Sequence, residues 1–231
     1  MPTKKIAVIG IGHFGSAIAR SLSKSGVEVM AIDKDSSKVE KIAEDVALGV
    51  AIDATDKKAL LSQNIHDFDA VVIAIGQNFE ERLLCCSVLL DLKIRRIIVR
   101  SMGVNQRSIL EKLGISEIWS PEEEVGMIVA ERLLNPSILN YLQLPDDYRV
   151  VEMITPKNTV GRTIGEVNFR DKYKLSLITL KEECKYTKNG NECMEYHVAG
   201  VPDYKTKIKN TDRLVLFGKV KDIDRFLQIN E

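Results

Sequence analysis

Three glycines near the start of the chain, Gly10, Gly12 and Gly15, stand in G-x-G-x-x-G spacing, with His13 and Phe14 between the second and the third. An acid, Asp33, follows about 20 residues further on. Residues of these types at this spacing hold a phosphate and a ribose. Gly10 allows a tight turn, Gly12 lets a phosphate approach the backbone, and Gly15 lets a helix pack close to a strand. Free N–H groups and the positive end of the helix dipole receive the anion, and the acid takes the ribose hydroxyls. Lys34, the run Asp53-Ala54-Thr55, the run Ala74-Ile75-Gly76, and Arg100 complete the candidate binding set.

A bare G-x-G-x-x-G says little until a strand leads into it and a helix leads out. Ile6–Ile9 is an apolar run that predicts a buried strand, and Phe14, Ile18 and Leu22 fall at helical spacing. Gly26 ends that helix, and Val27–Ile32 predicts a second strand closed by Asp33. The competing explanation is a glycine-rich turn with an Asp that caps the helix at Ser36. Ser36 is expected to cap a helix carrying Val39, Ile42 and Ala43. Val46–Ile52 predicts a third strand, and Thr55 or Asp56 is placed to cap a helix over 57–62. Asp69–Ile75 is continuously apolar after its first residue, as suits a parallel sheet covered on both faces. A helix over 79–92 is expected to turn Leu83, Leu84, Val88 and Leu92 inward. A fifth strand over 96–100, a helix over 104–113 ended by Gly114, and a sixth strand over 115–119 complete the alternation. Such alternation predicts a Rossmann-like, doubly wound parallel sheet, with its ligand at the carboxyl ends of the strands. Gly10–Gly15, Asp33, Asp53–Thr55, Gly76 and Arg100 all fall at such ends.

Pro121 opens a further helix with Glu122, Glu123 and Glu124 in its first turn, where the dipole favours acids. Asn135-Pro136 interrupts it, and a second short helix is expected over 137–142. This helical crossover has an apolar face, expected to pack on a second copy of the chain; packing on its own domain is the alternative. Leu144-Pro145-Asp146-Asp147 reads as the boundary. The expected organisation is a nucleotide-binding domain over 1–120, a crossover and dimerisation segment over 121–145, and a smaller α+β domain over 146–231. In the last, strands are expected over 149–155, 175–180 and 213–218. A short helix around Thr163-Ile164-Gly165-Glu166, a hairpin at Asn189-Gly190 and a final helix over 222–229 accompany them. The chain is 231 residues long with a formal net charge of +0. That balance argues against a general electrostatic hold on nucleic acid or anionic lipid. No apolar run is long enough to span a bilayer, and the N-terminus runs into a strand without a signal-peptide pattern, so a cytosolic protein is expected. Of four cysteines, Cys85 and Cys86 sit in an apolar helical stretch and are expected to be packing residues. A two-residue turn at Asn189-Gly190 would pair Cys184 with Glu195 and not with Cys193. The three histidines, His13, His66 and His197, lack metal-ligand spacing.

The chain resembles the cytosolic regulatory subunits of bacterial potassium uptake systems, the TrkA/KtrA family, built from an RCK N-terminal (KTN) domain and an RCK C-terminal domain. Val-Ile-Gly-Ile-Gly-His-Phe-Gly, Ala-Ile-Asp-Lys-Asp, Asp-Ala-Thr, Val-Val-Ile-Ala-Ile-Gly, Leu-Glu-Lys-Leu-Gly and Ser-Pro-Glu-Glu-Glu-Val-Gly carry it over about residues 4–140. Val-Gly-Arg-Thr-Ile-Gly-Glu-Val-Asn-Phe-Arg-Asp-Lys-Tyr and Ile-Lys-Asn-Thr-Asp-Arg-Leu-Val-Leu-Phe-Gly carry it over about 147–231. The resemblance implies a homodimer that assembles into an octameric ring beneath an integral membrane potassium-translocating subunit. Nucleotide in the cleft of the first domain would then change the ring's shape and gate transport. It assigns Asp33 to the ribose, Asp53–Thr55 to the adenine side, and Glu122 to a cation site near the phosphate end. KtrA-like members carry Arg at the position of His13, where it holds the terminal phosphate of ATP. The shorter His13 has no bidentate fork, which brings NAD(H) and AMP forward beside ATP and ADP. Some relatives bind cyclic di-AMP in the C-terminal domain, at a position that Arg170 matches. An NAD(P)-dependent oxidoreductase with a small second domain is the alternative function, and an interaction module with a vestigial site is a third.

Overall fold

The computed structural model describes residues 3–188 and 191–231, which divide into two compact units, Met1–Glu124 and Val125–Glu231. The first alternates β1 (Lys5–Ile9), α1 (His13–Lys24), β2 (Glu28–Asp33), α2 (Ser36–Glu40), β3 (Leu48–Ala51), α3 (Lys57–Ser62), β4 (Ala70–Ile73), α4 (Phe79–Asp91), β5 (Ile97–Arg100), α5 (Val104–Lys112) and β6 (Glu117–Trp119). Its six strands are all parallel, in the order β3-β2-β1-β4-β5-β6. Alternation along the strands sends Ala7, Ile9, Ile32, Val71, Ile73 and Val99 to one face, with Leu60 of α3, Cys85, Cys86 and Leu89 of α4, and Leu110 of α5. Val8, Val29, Ala31, Val72 and Ile98 meet Ala19 and Ile18 of α1 on the other. Burial on both faces is why these strands read as unbroken apolar runs. The strand order reverses between β1 and β4, so a crevice opens at their carboxyl ends.

Two local expectations are corrected in this unit. The cap of α2 is Asp35, whose side chain accepts from Ser37 N at 3.0 Å; Ser36 is the first helical residue. Along α4 the fully buried stripe is Arg82, Cys85, Cys86 and Leu89, while Leu84 is 51% exposed. Leu83, Val88 and Leu92 pack partly buried against the core. The buried set follows i, i+3, i+4, i+7 spacing, so Leu84 falls on the outer face.

After α6 (Pro121–Leu134) the chain departs from expectation. Residues 137–142 form no helix; β7 (Ile138–Gln143) runs there, antiparallel to β8 (Tyr148–Ile154), with Ile138 opposite Met153 and Gln143 opposite Arg149. Its local sequence could form either structure, and the exposed edge of β8 supplies the hydrogen bonds that decide for a strand. Arg132 donates to the Leu139 carbonyl and to Asn140 Oδ1, both at 2.8 Å. The crossover is therefore one helix followed by a strand. Leu144-Pro145-Asp146-Asp147 is the turn between β7 and β8, with Asp146 and Asp147 both at φ 59°. The 144–147 stretch thus lies inside the second sheet, and the compact units part at Glu124.

The second unit adds α7 (Ile164–Val167), α8 (Phe169–Tyr173), β9 (Ser176–Lys188), β10 (Asn191–Val198), β11 (Arg213–Lys219) and α9 (Val220–Asn230). Its five antiparallel strands run β10-β9-β11-β8-β7. Val151, Met153, Leu180, Leu214 and Leu216 turn to one face and bury Val167, Phe169, Tyr173, Ile223 and Phe226 from the helices. Thr163 and Glu166 form a reciprocal cap on α7. The expected Asn189-Gly190 turn lies outside the described residues, but the flanking register does pair Cys184 with Glu195. Cys85, Cys86, Cys184 and Cys193 are all free thiols. Among the described residues no helix is long and apolar enough to cross a membrane.

Candidate nucleotide site

The first turn after β1 is built by steric necessity. Gly10 sits at φ +91°, and a Cβ there would lie 2.7 Å from the Ile75 amide nitrogen and 3.0 Å from the Ala74 carbonyl carbon. Only glycine lets the end of β1 pass this close to the end of β4. A Cβ on Gly15 would overlap the Gly10 carbonyl oxygen and stand 3.1 Å from the Ala74 methyl. Gly12 differs: nothing lies within 4 Å of its would-be Cβ. It is the N-cap of α1, without a side-chain hydrogen bond to the helix. The amides of the first turn of α1 have no intrahelical acceptor, and the space in front of Gly12 is open to a ligand. Gly10, Gly12 and Gly15 thus hold the separate roles of turn, approach and helix packing.

Asp33 closes the adjoining strand and is 8% exposed. Its Oδ2 accepts from the Ile11 amide at 2.7 Å and its Oδ1 from the Asp35 amide at 3.0 Å; Lys38 Nζ approaches at 3.4 Å. The carboxylate therefore locks the glycine loop to β2 and still has lone pairs for ribose hydroxyls. The capping alternative does not hold for Asp33, since Asp35 caps α2. Lys34 is exposed and its Nζ lies 2.8 Å from Glu81 Oε2 in the first turn of α4. The Glu81 carboxylate, through its hydrogen bond and its charge, raises the Lys34 pKa. At the end of β3, Asp53 Oδ1 accepts from the Thr55 hydroxyl at 2.7 Å and the Thr55 amide at 2.8 Å. Those bonds, aided by the Lys34 charge, hold the Asp53 carboxyl below its ordinary range. Asp56 caps α3 through the amides of Lys58 and Ala59. Ala54 is buried in the core, so only Asp53 and Thr55 of that run offer polar side chains.

On the phosphate side, the Arg100 guanidinium carbon stands 5.1 Å from the centroid of the Phe14 ring, and Arg100 Nη2 pairs with Glu122 Oε1. Its buried Nε has no partner among the described residues. Arg100 Nη1 is 3.4 Å from the would-be Cβ of Gly76, so Gly76 leaves it room. Glu122, in the first turn of α6, is thus engaged by Arg100. Among the described residues no group of three or more His, Cys, Asp or Glu side chains is gathered to hold a metal ion. His13, the first residue of α1, is exposed, and its carbonyl accepts from Ser16 Oγ at 3.2 Å.

One residue at this site escaped sequence reasoning. Arg82 is fully buried and donates to the Ile75 carbonyl at 2.8 Å, the Gly76 carbonyl at 2.5 Å and Gln106 Oε1 at 2.7 Å. The only signal was a charge that follows Glu80-Glu81 and stands at the head of the apolar run Leu83-Leu84-Cys85-Cys86.

Residues 6–121 match the TrkA-N domain family. The chain is 33% identical over 223 residues to the Ktr system potassium uptake protein A of Bacillus subtilis strain 168, covering 96% of this chain and 95% of that protein. This chain belongs to the TrkA/KtrA family. Within the family, the Ktr system potassium uptake protein A of Vibrio alginolyticus is 27% identical over 71% of this chain and 74% of its own length. Among solved structures the fold is shared with the GsuK channel bound to NAD, at TM-score 0.62 and 16% identity, over 99% of this chain. The chain spans 39% of the length of that channel chain. It is shared also with the Shewanella denitrificans Kef CTD in its AMP-bound form, at TM-score 0.50 and 21% identity, over 57% of this chain and 82% of that one.

Proposed function

We propose that this chain is the nucleotide-sensing regulatory subunit of a membrane potassium uptake system. It works in the cytoplasm, against the membrane through its partner, as a sensor and not as an enzyme. The observation that carries the reading is the open space at Gly12, the N-cap of α1, beside the turn where Gly10 meets Ile75, Gly15 meets Gly10 and Asp33 holds the Ile11 amide. It offers unpaired helix amides to a phosphate and a seated carboxylate to a ribose. The ligand is an adenine nucleotide: ATP, ADP, AMP or NAD(H). His13 in the phosphate loop weighs toward NAD(H) or AMP. Relatives spanning nearly the whole chain are named potassium uptake proteins, which favours gating over hydride transfer. Gating requires that nucleotide bind two arrangements of the assembly with different affinity.

The assembly begins as a homodimer, and an octameric ring beneath the membrane subunit is its expected extension. Support comes from α6, where no residue is buried and Met127, Leu133 and Leu134 are 60, 77 and 78% exposed. A helix with that much bare apolar surface is suited to cover by a second copy. Cyclic di-AMP enters as a further test ligand through Arg170, which is exposed in α8.

Thermal unfolding with each of ATP, ADP, AMP, NAD and NADH tests the reading. A ligand at 100 times its Kd stabilises the fold by about 2.7 kcal/mol, visible as a rise in Tm. No shift with any of the five at millimolar concentration would overturn it. Coupling to transport is tested in cells lacking the native regulatory subunit. The intact chain restores potassium uptake, and an Asp33→Ala variant does not.

A further inference from the structure

Arg82 is the largest fully buried side chain among the described residues. Its three hydrogen-bond partners, two backbone carbonyls and a side-chain amide, are neutral. Other cations around the crevice are matched: Arg100 with Glu122, Lys34 with Glu81, and Lys38 with Asp33. Burial, with the nearby Arg100 charge, works against the Arg82 guanidinium. A charge taken out of water and left without a counter-charge is costly, and a fold that keeps one ordinarily gives it an anion. The carbonyls that Arg82 grips belong to Ile75, whose backbone faces Gly10 across the crevice, and to Gly76, which stands against the Arg100 guanidinium. Left free, two carbonyl oxygens there would repel a phosphate. Gripped by one fork, they are drawn toward the guanidinium, and their negative ends are offset by its charge.

Building on the nucleotide-sensing reading, we propose that Arg82 is a positioning residue of the anion subsite, whose unmatched buried charge is completed by the phosphate of the bound nucleotide. It acts through the Ile75-Gly76 backbone and through its field, which burial of the guanidinium leaves less screened than that of a surface charge. The ligand class that benefits is a nucleotide carrying phosphate; a bare nucleoside gains nothing. Gln106 offers a test that leaves packing intact. Its Oε1 accepts from both Arg82 Nη1 and the Met102 amide, the latter at 3.0 Å. Gln106→Glu keeps both acceptors and hands Arg82 the carboxylate it lacks.

The experiment is calorimetric titration of the full-length protein with ADP, AMP and adenosine, for wild type, Arg82→Gln and Gln106→Glu. Both variants should weaken ADP and AMP at least 10-fold while adenosine changes less than 3-fold. The ligand-free Gln106→Glu protein should melt no lower than wild type, because its buried charge is now paired. Equal losses for adenosine and ADP, or an unchanged ADP-to-adenosine ratio, would overturn the proposal. If Arg82→Gln does not fold, Gln106→Glu alone decides between these outcomes. Failure of wild type to bind any of the three, with no rise in Tm from ATP, NAD or NADH either, would instead overturn the nucleotide reading beneath it.

Discussion

Replacing Gly12 and Gly15 in turn by alanine separates the two jobs of the glycine loop. At Gly12 the added methyl meets nothing within 4 Å, and the backbone, at φ −79° and ψ −168°, lies in a region open to alanine. An alanine N-cap is poorer than glycine, so the fold should lose no more than about 1 kcal/mol. The same methyl stands where the phosphate must approach, and affinity for ADP should fall 10- to 100-fold, or about 1.4–2.8 kcal/mol. At Gly15 the order reverses. The methyl overlaps the Gly10 carbonyl oxygen and stands 3.1 Å from the Ala74 methyl. Since backbone cannot swing aside as a flexible side chain can, α1 must shift off β1. Overpacking of this kind costs about 1–3 kcal/mol or more, a fall of several degrees in Tm. Denaturant unfolding and calorimetric titration on both variants provide the check. A Gly12→Ala protein that binds ADP as wild type does, or a Gly15→Ala protein as stable as wild type, would refute this division of roles.

Other consequences follow from the two units. Burial opposes ionisation of Glu152, yet hydrogen bonds from Lys181, Asn140 and Arg213 outweigh it and hold its carboxyl below the ordinary range. With a depressed folded value, its stabilisation is present above the ordinary Glu pKa of about 4.3 and is lost as pH falls through the folded value. Glu152→Gln should therefore flatten the acid limb of the stability–pH curve, and an unaltered slope would count against the network. Sedimentation should show wild type associating as concentration rises, with Leu133→Lys/Leu134→Lys shifting it toward monomer. A wild type that stays monomeric at every concentration removes α6 as a dimer surface. Burial raises the thiol pKa of both Cys85 and Cys86, the latter to about 12. A thiol reagent should thus label Cys184 in the native protein and reach Cys85 and Cys86 only in denaturant, and native labelling of Cys85 would contradict the packing of α4.

What the sequence disclosed was governed by local sterics. The glycine spacing, the acid at the end of β2, a cap for α3 at Thr55 or Asp56 (the structure has Asp56) and the short helix after Thr163 each follow from the needs of one turn, and residue types alone point to them. Long apolar runs such as Val71–Ile75 announce a covered parallel sheet for the same reason. Decisions made at a distance were hidden. Ser137–Leu142 has no strong preference, and pairing with β8, whose register begins with Ile138 opposite Met153, made it a strand. Asp146 and Asp147, at φ 59°, then serve a hairpin where a boundary was expected. Leu84 and Arg82 changed places relative to expectation. A leucine signals a core, and nothing in the chain around an arginine shows that carbonyls from the end of another strand await it. The arrangement of Arg100, Phe14 and Glu122 likewise joins residues far apart in the chain, and only the order of the sheet brings them together.

The most direct measurement is a structure of the protein determined with millimolar ADP or NAD. Phosphate density is expected against the amides at the start of α1, in front of Gly12, with ribose hydroxyls on Asp33. A hollow left empty at that concentration, or a nucleotide bound only elsewhere, would contradict it.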